Sequence, residues 1–253
     1  MSAMSDCGAH KHSVLLMSHF FNARIEEKYR RLTEELNPRL YDVFLLLNLN
    51  DKFEAGEVPS YIHLCAYDAD DLNSLNYIPI FESLLPGSCH FPVLRFYRDH
   101  PSYTFYWFIE YDVEFTAPWS LLLDGYEVDT ADYIVPFLAK FYKTKNSRWE
   151  WWTVGNNSGF PLSESIRAFH PICRYSHAAL RCIDDCQRKG HSAHSELLVP
   201  TCLSQAGMSL KTFDTRYFVK DSGFSSFRYR PAFSAEEFCR RKVPGKLYHP
   251  VKT

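Results

Sequence analysis

The sequence predicts a single α/β domain: a mostly parallel central sheet flanked by helices. Three observations predict it. Short apolar runs alternate with charged, amphipathic stretches, and several of those runs stop abruptly in polar residues. At 253 residues the chain is long enough to bury a sizeable core. No internal repeat and no linker rich in Gly, Pro or Ser divides it.

The elements follow in order. Ser13–Phe20 is a short apolar run and the first candidate strand. Residues 22–36, NARIEEKYRRLTEEL, place Ile25, Tyr29, Leu32 and Leu36 at helical spacing and end at Asn37-Pro38. Tyr41–Leu49 is a second strand, and Tyr61–Ala66 is a third that runs into the acidic loop holding Asp68, Asp70 and Asp71. Tyr103–Ile109 (YTFYWFI) reads as a buried strand delivering Glu110, Asp112 and Glu114 at its tip. Tyr133–Phe141 is strand-like, Arg148–Gly159 is a loop carrying Trp149, Trp151 and Trp152, and helices are expected over Arg174–Lys189 and Ser195–Ala206.

Composition narrows the function. Lys plus Arg is 28 against 30 Asp plus Glu, a formal charge of −2 with no basic stripe, which argues against a nucleic-acid partner. The head of the chain lacks signal-peptide architecture, and no apolar run approaches the roughly 20 residues needed to span a bilayer. The expectation is a cytoplasmic protein, at most peripheral to a membrane, whose eight cysteines are reduced.

In open α/β sheets ligands bind beyond the carboxyl ends of the strands. Glu110 and Asp112 sit at such an end. With strand geometry maintained, their side chains share one side, about 6–7 Å apart along the chain. Two hard oxygen ligands there suit Mn²⁺ or Mg²⁺ holding a diphosphate, and Glu114 continues the alternation as a substitute for either. The bland alternative is a solvated strand-to-loop turn.

The stretch YWFIEYDVEFTAPW resembles the acidic D-x-D metal motif of GT-A glycosyltransferases, with Glu in first place. The preceding order of strand, helix, strand and strand resembles the nucleotide-binding half of that fold. The resemblance spans about residues 12–250. It implies a nucleotide-sugar donor, a nucleotide-binding half over about 12–112 and an acceptor-side half over about 113–253. It also implies a carbohydrate or lipid-linked sugar acceptor, as in surface polysaccharide or glycoconjugate synthesis. On the same resemblance His19, Arg24, Asp68, Asp70 and Lys252 fall where the nucleotide and its phosphates bind. His249, late in the chain, falls where a histidine returns to the metal. The tail is expected to order only when donor and metal are bound.

An inverting sugar transfer needs a base for the acceptor hydroxyl. Glu196 is the first choice, with His194 and His191 as alternatives, and Arg174 could face the acceptor. The competing reading is a helix N-terminus capped by Ser192 or Ser195, with Glu196 in the first turn. Cys182, Cys186, His191 and His194 are spaced closely enough to raise a zinc-stapled interaction protein as a further alternative. A non-catalytic nucleotide-sugar or carbohydrate-binding module is the other.

Overall fold

The structure is a computed structural model that describes residues 11–49, 58–81, 84, 87–142 and 148–252. Residues 1–10, part of the head in which no signal-peptide pattern is read, lie outside the described residues. In chain order the first elements are β1 (His12–Ser18), α1 (Ala23–Glu35), β2 (Tyr41–Asn48), β3 (Leu64–Tyr67), α2 (Ala69–Asn73), α3 (Phe91–Asp99), β4 (Phe105–Glu110), β5 (Glu114–Phe115) and α4 (Trp119–Leu123). Then come β6 (Tyr133–Val135), β7 (Phe137–Lys140), β8 (Ile166–Phe169), β9 (Ile172–Ser176), α5 (His177–Arg188) and α6 (Ser195–Gln205). The last elements are β10 (Leu210–Thr212), β11 (Lys220–Asp221), β12 (Phe224–Ser225), α7 (Ala235–Arg241) and β13 (Leu247–Tyr248).

Seven of the described strands form one sheet in the order β10-β6-β9-β4-β1-β2-β3. β9 pairs antiparallel with both β4 and β6, and the other pairings are parallel. The α/β expectation therefore holds. Its cause is visible in β1, where Val14, Leu15 and Leu16 are all fully buried. Alternate residues face opposite sides of a sheet, so a strand covered on both sides reads as an unbroken apolar run. Val14, Leu45, Trp107 and Ile109 pack with Ile25, Tyr29 and Leu32 of α1. Leu15, Leu46, Tyr106 and Phe108 pack on the other side with Leu94 of α3 and Leu180 of α5. The Asn22 side chain caps α1 by accepting from the amides of Arg24 and Ile25.

Four expectations are corrected. The third strand starts at Leu64, not Tyr61, because Tyr61 and Ile62 belong to a turn. The Tyr133–Phe141 run is two strands: Pro136, which has no N–H for a ladder, separates β6 in the main sheet from β7 in a hairpin with β8. The helix expected from Arg174 starts at His177, because Ile172–Ser176 is the antiparallel strand. Arg174 is fully buried there, donating to the carbonyls of Asp129 and Ala131 at 2.6 and 3.1 Å, so it holds the preceding loop and does not face an acceptor.

The fourth correction concerns the tail, which is part of the folded core. β13 pairs with β5, Tyr248 and Val251 are buried, and the backbone bonds His249 N to Ser226 O (2.9 Å) and Val251 N to Asp112 O (2.8 Å). These contacts tie the tail to the rest of the fold.

Candidate active site

The chain turns sharply where β4 ends. Val113 N donates to Glu110 O at 3.1 Å, so the two-residue alternation stops at Glu110. The acidic pair converges through a turn and not through strand spacing. Glu114, beyond the turn, is taken by other partners. Lys28 Nζ lies 2.8 Å from its Oε1 and Arg24 Nη2 lies 3.2 Å away. Burial pushes the Glu114 carboxyl up, but Lys28 and Arg24 outweigh it and hold the group below its ordinary range. Glu114 is thus a structural anion and not a spare ligand. Lys28 also donates to the carbonyls of Tyr111 and Val113, at 2.6 and 2.5 Å, which sets the shape of the turn. Burial lowers the pKa of Lys28, against the pull of Glu114.

The tail brings His249 back across this turn. Its Nε2 stands 3.5 Å from Asp112 Oδ1 and 3.6 Å from Glu110 Oε2. One ligand atom from each of the three residues lies within 4.8 Å of the others, and among the described residues no other such trio exists. The donor set fits a divalent cation. Asp112 is only 5% exposed and its Oδ1 has no hydrogen-bond partner, so a buried acceptor is left unused. His249 Nδ1 faces the Arg228 carbonyl at 2.9 Å, which makes Nδ1 the protonated nitrogen and leaves Nε2 to point at the carboxylates. In the metal-free protein a proton on Nε2 compensates those charges. Burial opposes that proton, but Asp112 and Glu110 raise the His249 pKa to about 9. Burial likewise raises Asp112, and His249 and Lys252 more than reverse it. Lys252 Nζ lies 4.0 Å from Asp112 Oδ2.

Glu196 lies in the first turn of α6, 7% exposed, close enough to feel the charges of Glu110 and His249. Burial pushes its carboxyl up to about 8, moderated by the Tyr229 hydroxyl, which donates to Oε2 at 2.7 Å. A carboxyl with that pKa is matched to proton transfer near neutral pH. The cap of α6 is neither Ser192 nor Ser195 but His194, whose Nδ1 accepts from Glu196 N at 3.2 Å while its ring stacks on Trp151 at 4.7 Å. Burial lowers the His194 pKa to about 4.

The remaining candidates are spread more widely. His191 stacks on Phe160, 5.4 Å between centroids, and lines a separate cavity between α5 and α6. Cys182 lies 3.8 Å from Cys202, and among the described residues Cys182, Cys186, His191 and His194 are not gathered into a group of three ligand atoms. Arg24 directs Nη2 to Glu114 and to the Val251 carbonyl at 2.8 Å, an anchor for the tail. His19 is exposed beside Phe20 and Tyr111. Asp68 caps α2 in a reciprocal pair with Asp71, and Asp70 is exposed in the first turn of that helix.

Several residues at the site escape a reading of the sequence. Tyr229 is one; its only signal is an aromatic ring between two arginines. Lys28 looks like any charge on an amphipathic helix. A buried chain runs from the Tyr133 hydroxyl to His170 Nδ1 (2.7 Å), then from His170 Nε2 to Ser195 Oγ (3.2 Å) and on to Cys89 Sγ (2.9 Å). It braces the residue just before Glu196. Burial lowers the His170 pKa to about 3, so this brace is neutral.

No protein-family model matches the chain, and no curated protein sequence does. Among solved structures the chain is similar to mouse xyloside xylosyltransferase 1, with 10% identity, 94% of this chain and 97% of that chain covered and a TM-score of 0.47. It is similar to glucosyl-3-phosphoglycerate synthase from Mycobacterium tuberculosis, a structure that holds Mn²⁺, UDP-glucose and glycerol 3-phosphate. There the identity is 15%, the coverage 85% and 86%, and the TM-score 0.43. A mannosyltransferase from S. cerevisiae in complex with GDP matches at 14% identity, over 77% and 66% of the two chains, with a TM-score of 0.36. No helix of the described residues is long and apolar enough to cross a membrane.

Proposed function

We propose that the protein is a metal-dependent glycosyltransferase that moves a sugar from a nucleoside-diphosphate donor to an acceptor hydroxyl. One observation carries this reading. Glu110 and Asp112 at the carboxyl end of a mostly parallel sheet are joined by His249 from the far end of the chain into a group able to hold a metal, with a buried carboxyl of raised pKa beside them. Glu110, Asp112 and His249 would hold Mn²⁺ or Mg²⁺. The ion would neutralise the diphosphate of the donor and so ease its departure.

The rest belongs to the chain. As the acceptor oxygen attacks the anomeric carbon, the bond from that carbon to the diphosphate oxygen breaks, and Glu196 takes the hydroxyl proton onto its carboxylate. Tyr229 orients that carboxylate. His19, Asp68, Asp70 and Lys252 lie on the donor side in this reading, with residues 12–112 binding the nucleotide and 113–253 serving the acceptor. A cytoplasmic place, peripheral to a membrane where the acceptor is lipid-linked, completes it, and rests on the sequence.

The test is a melting-temperature screen with UDP or GDP in Mn²⁺ and in EDTA. The nucleotide should stabilise the parent far more with the metal. Asp112→Asn should lose most of that increment and keep its unliganded melting point. An undiminished increment in Asp112→Asn overturns the metal assignment.

A further inference from the structure

Arg167 is the charged side chain of the β8 strand, and its charge reaches the buried Glu196 carboxyl, whose ionised form it favours, without touching it. Its guanidinium makes no hydrogen bond or ion pair among the described residues, and its Nε is buried without a partner. Instead the group lies over two aromatic rings, 5.4 Å from the centroid of Phe137 and 5.1 Å from that of Trp149. Aromatic faces hold a guanidinium in place but leave its in-plane N–H donors unused. A half-buried cation of this kind costs free energy unless an anion or acceptor meets it.

Arg167 lines a cavity of about 180 Å³ together with Phe137, Phe169, Phe227, Tyr229 and Lys220. That is close to the ~150 Å³ that accommodates a single benzene ring. Lys220 is exposed and has no ion pair among the described residues. The cavity abuts the candidate site on both sides. The rings of Phe169 and Phe227 lie 5.3 and 5.2 Å from His249, and the Tyr229 hydroxyl meets Glu196. It sits on the β7–β8 hairpin, whereas His19 and Asp68 follow β1 and β3, which lie beyond β4 in the main sheet. An anion here would thus meet different strands from those that His19 and Asp68 follow.

We infer that this cavity is an acceptor subsite for a phosphate or carboxylate group borne on a small ring or short apolar body. The planar fork of Arg167 would grip the anion in two parallel bonds, which an ammonium cannot do. Lys220 adds a point charge at the rim, and Phe169, Phe227 and Tyr229 cover the body. Arg228, the other cation of the lining, is already engaged by Glu237 at 3.6 Å and by the Pro231 carbonyl at 2.8 Å. The inference rests on the glycosyltransferase reading for the word acceptor, while the anion site itself stands on the cavity.

The test uses the full chain in EDTA, with phenyl phosphate as probe and phenol as its uncharged counterpart, by calorimetry. Phenyl phosphate should bind the parent at least ten times more tightly than phenol. Arg167→Gln should weaken phenyl phosphate by roughly ten- to a hundredfold, the range for losing charged hydrogen bonds, and leave phenol unchanged. Arg167→Lys should recover only part of the loss. Lys220→Gln, a surface change that does not endanger the fold, should weaken binding a few-fold and reduce its salt dependence. Equal affinity for the two probes in the parent, or unaltered phenyl phosphate binding in folded Arg167→Gln, overturns the subsite.

Two further arms separate the readings. If UDP without metal displaces phenyl phosphate and loses as much affinity in Arg167→Gln, the arginine serves the donor and the acceptor assignment fails. If phenyl phosphate binding depends on Arg167 while no nucleotide binds with Mn²⁺, the anion site holds and the glycosyltransferase reading fails. Sedimentation with phosphatidic acid vesicles, lost in Arg167→Gln, assigns the anion to a lipid phosphate, and no sedimentation assigns it to a free one.

Discussion

The hydroxyl of Tyr229 donates to Oε2 of Glu196 at 2.7 Å across 33 residues of sequence. It is the only side-chain hydrogen bond to that carboxyl among the described residues, and it favours the ionised form against the burial that opposes it. Tyr229→Phe should therefore raise the Glu196 pKa and shift the rising limb of the pH–rate profile by about one unit toward alkaline pH. An unshifted profile with a lower plateau would mean that Tyr229 acts on the substrate and not through Glu196.

Glu196 also makes stability depend on pH in the unusual direction. Its folded pKa of about 8 exceeds the ordinary 4.5, so between those values the folded state binds more protons than the unfolded state. Its effect on stability is then nil below about 4.5 and grows unfavourable as pH rises toward 8, to a few kcal/mol. Glu196→Gln should melt near the parent at pH 5 and clearly above it at pH 8.5 in EDTA, while sugar transfer falls roughly 10²-fold or more. Parallel melting curves across that range would remove the buried carboxyl from the account.

At His249 the metal and a proton compete for Nε2, because Nδ1 is held at the Arg228 carbonyl. The raised pKa places the proton's stabilisation fully below about 6.5 and ends it as pH passes about 9. Mn²⁺ binding should tighten with pH over that window and release about one proton at pH 7, read from calorimetry in buffers of different ionisation enthalpy. His249→Ala should bind Mn²⁺ more weakly and release none.

Lys28 and Glu114 form an ion pair in which the lysine is 2% exposed. Lys28→Met leaves the carboxylate with Arg24 and the more distant Arg31, at 3.2 and 4.0 Å, and strips two carbonyls of their donor. The loss should be about 3–5 kcal/mol by denaturant titration, and adding Glu114→Gln should restore part of it.

Truncation after Leu247 should lower the melting temperature of the free protein substantially, since it removes the buried Tyr248 and Val251 and unpins the Asp112 turn. A truncated chain that melts with the parent would contradict the packing of the tail.

The strands β1, β2 and β4 and the helix α1 are legible in the sequence because their signals are local. A strand covered on both faces must be apolar at every position, and a helix on a sheet must repeat its apolar residues every three to four. The pairing of Glu110 with Asp112 is legible for the same reason, since a dry strand ending in acids stands out. Tertiary contacts decided the rest. β9 was hidden because it is short, carries the buried Arg174 and runs straight into a helix; its identity depends on the β4 and β6 ladders beside it. Glu114 matched its two neighbours in spacing, and only the return of Lys28 and Arg24 made it a structural anion. Tyr229, Arg167 and Glu196 come from three distant segments, and no periodicity marks side chains that meet through a loop. Periodicity reports which face of an element is buried; what meets that face is set by chain closure over distances the pattern does not encode.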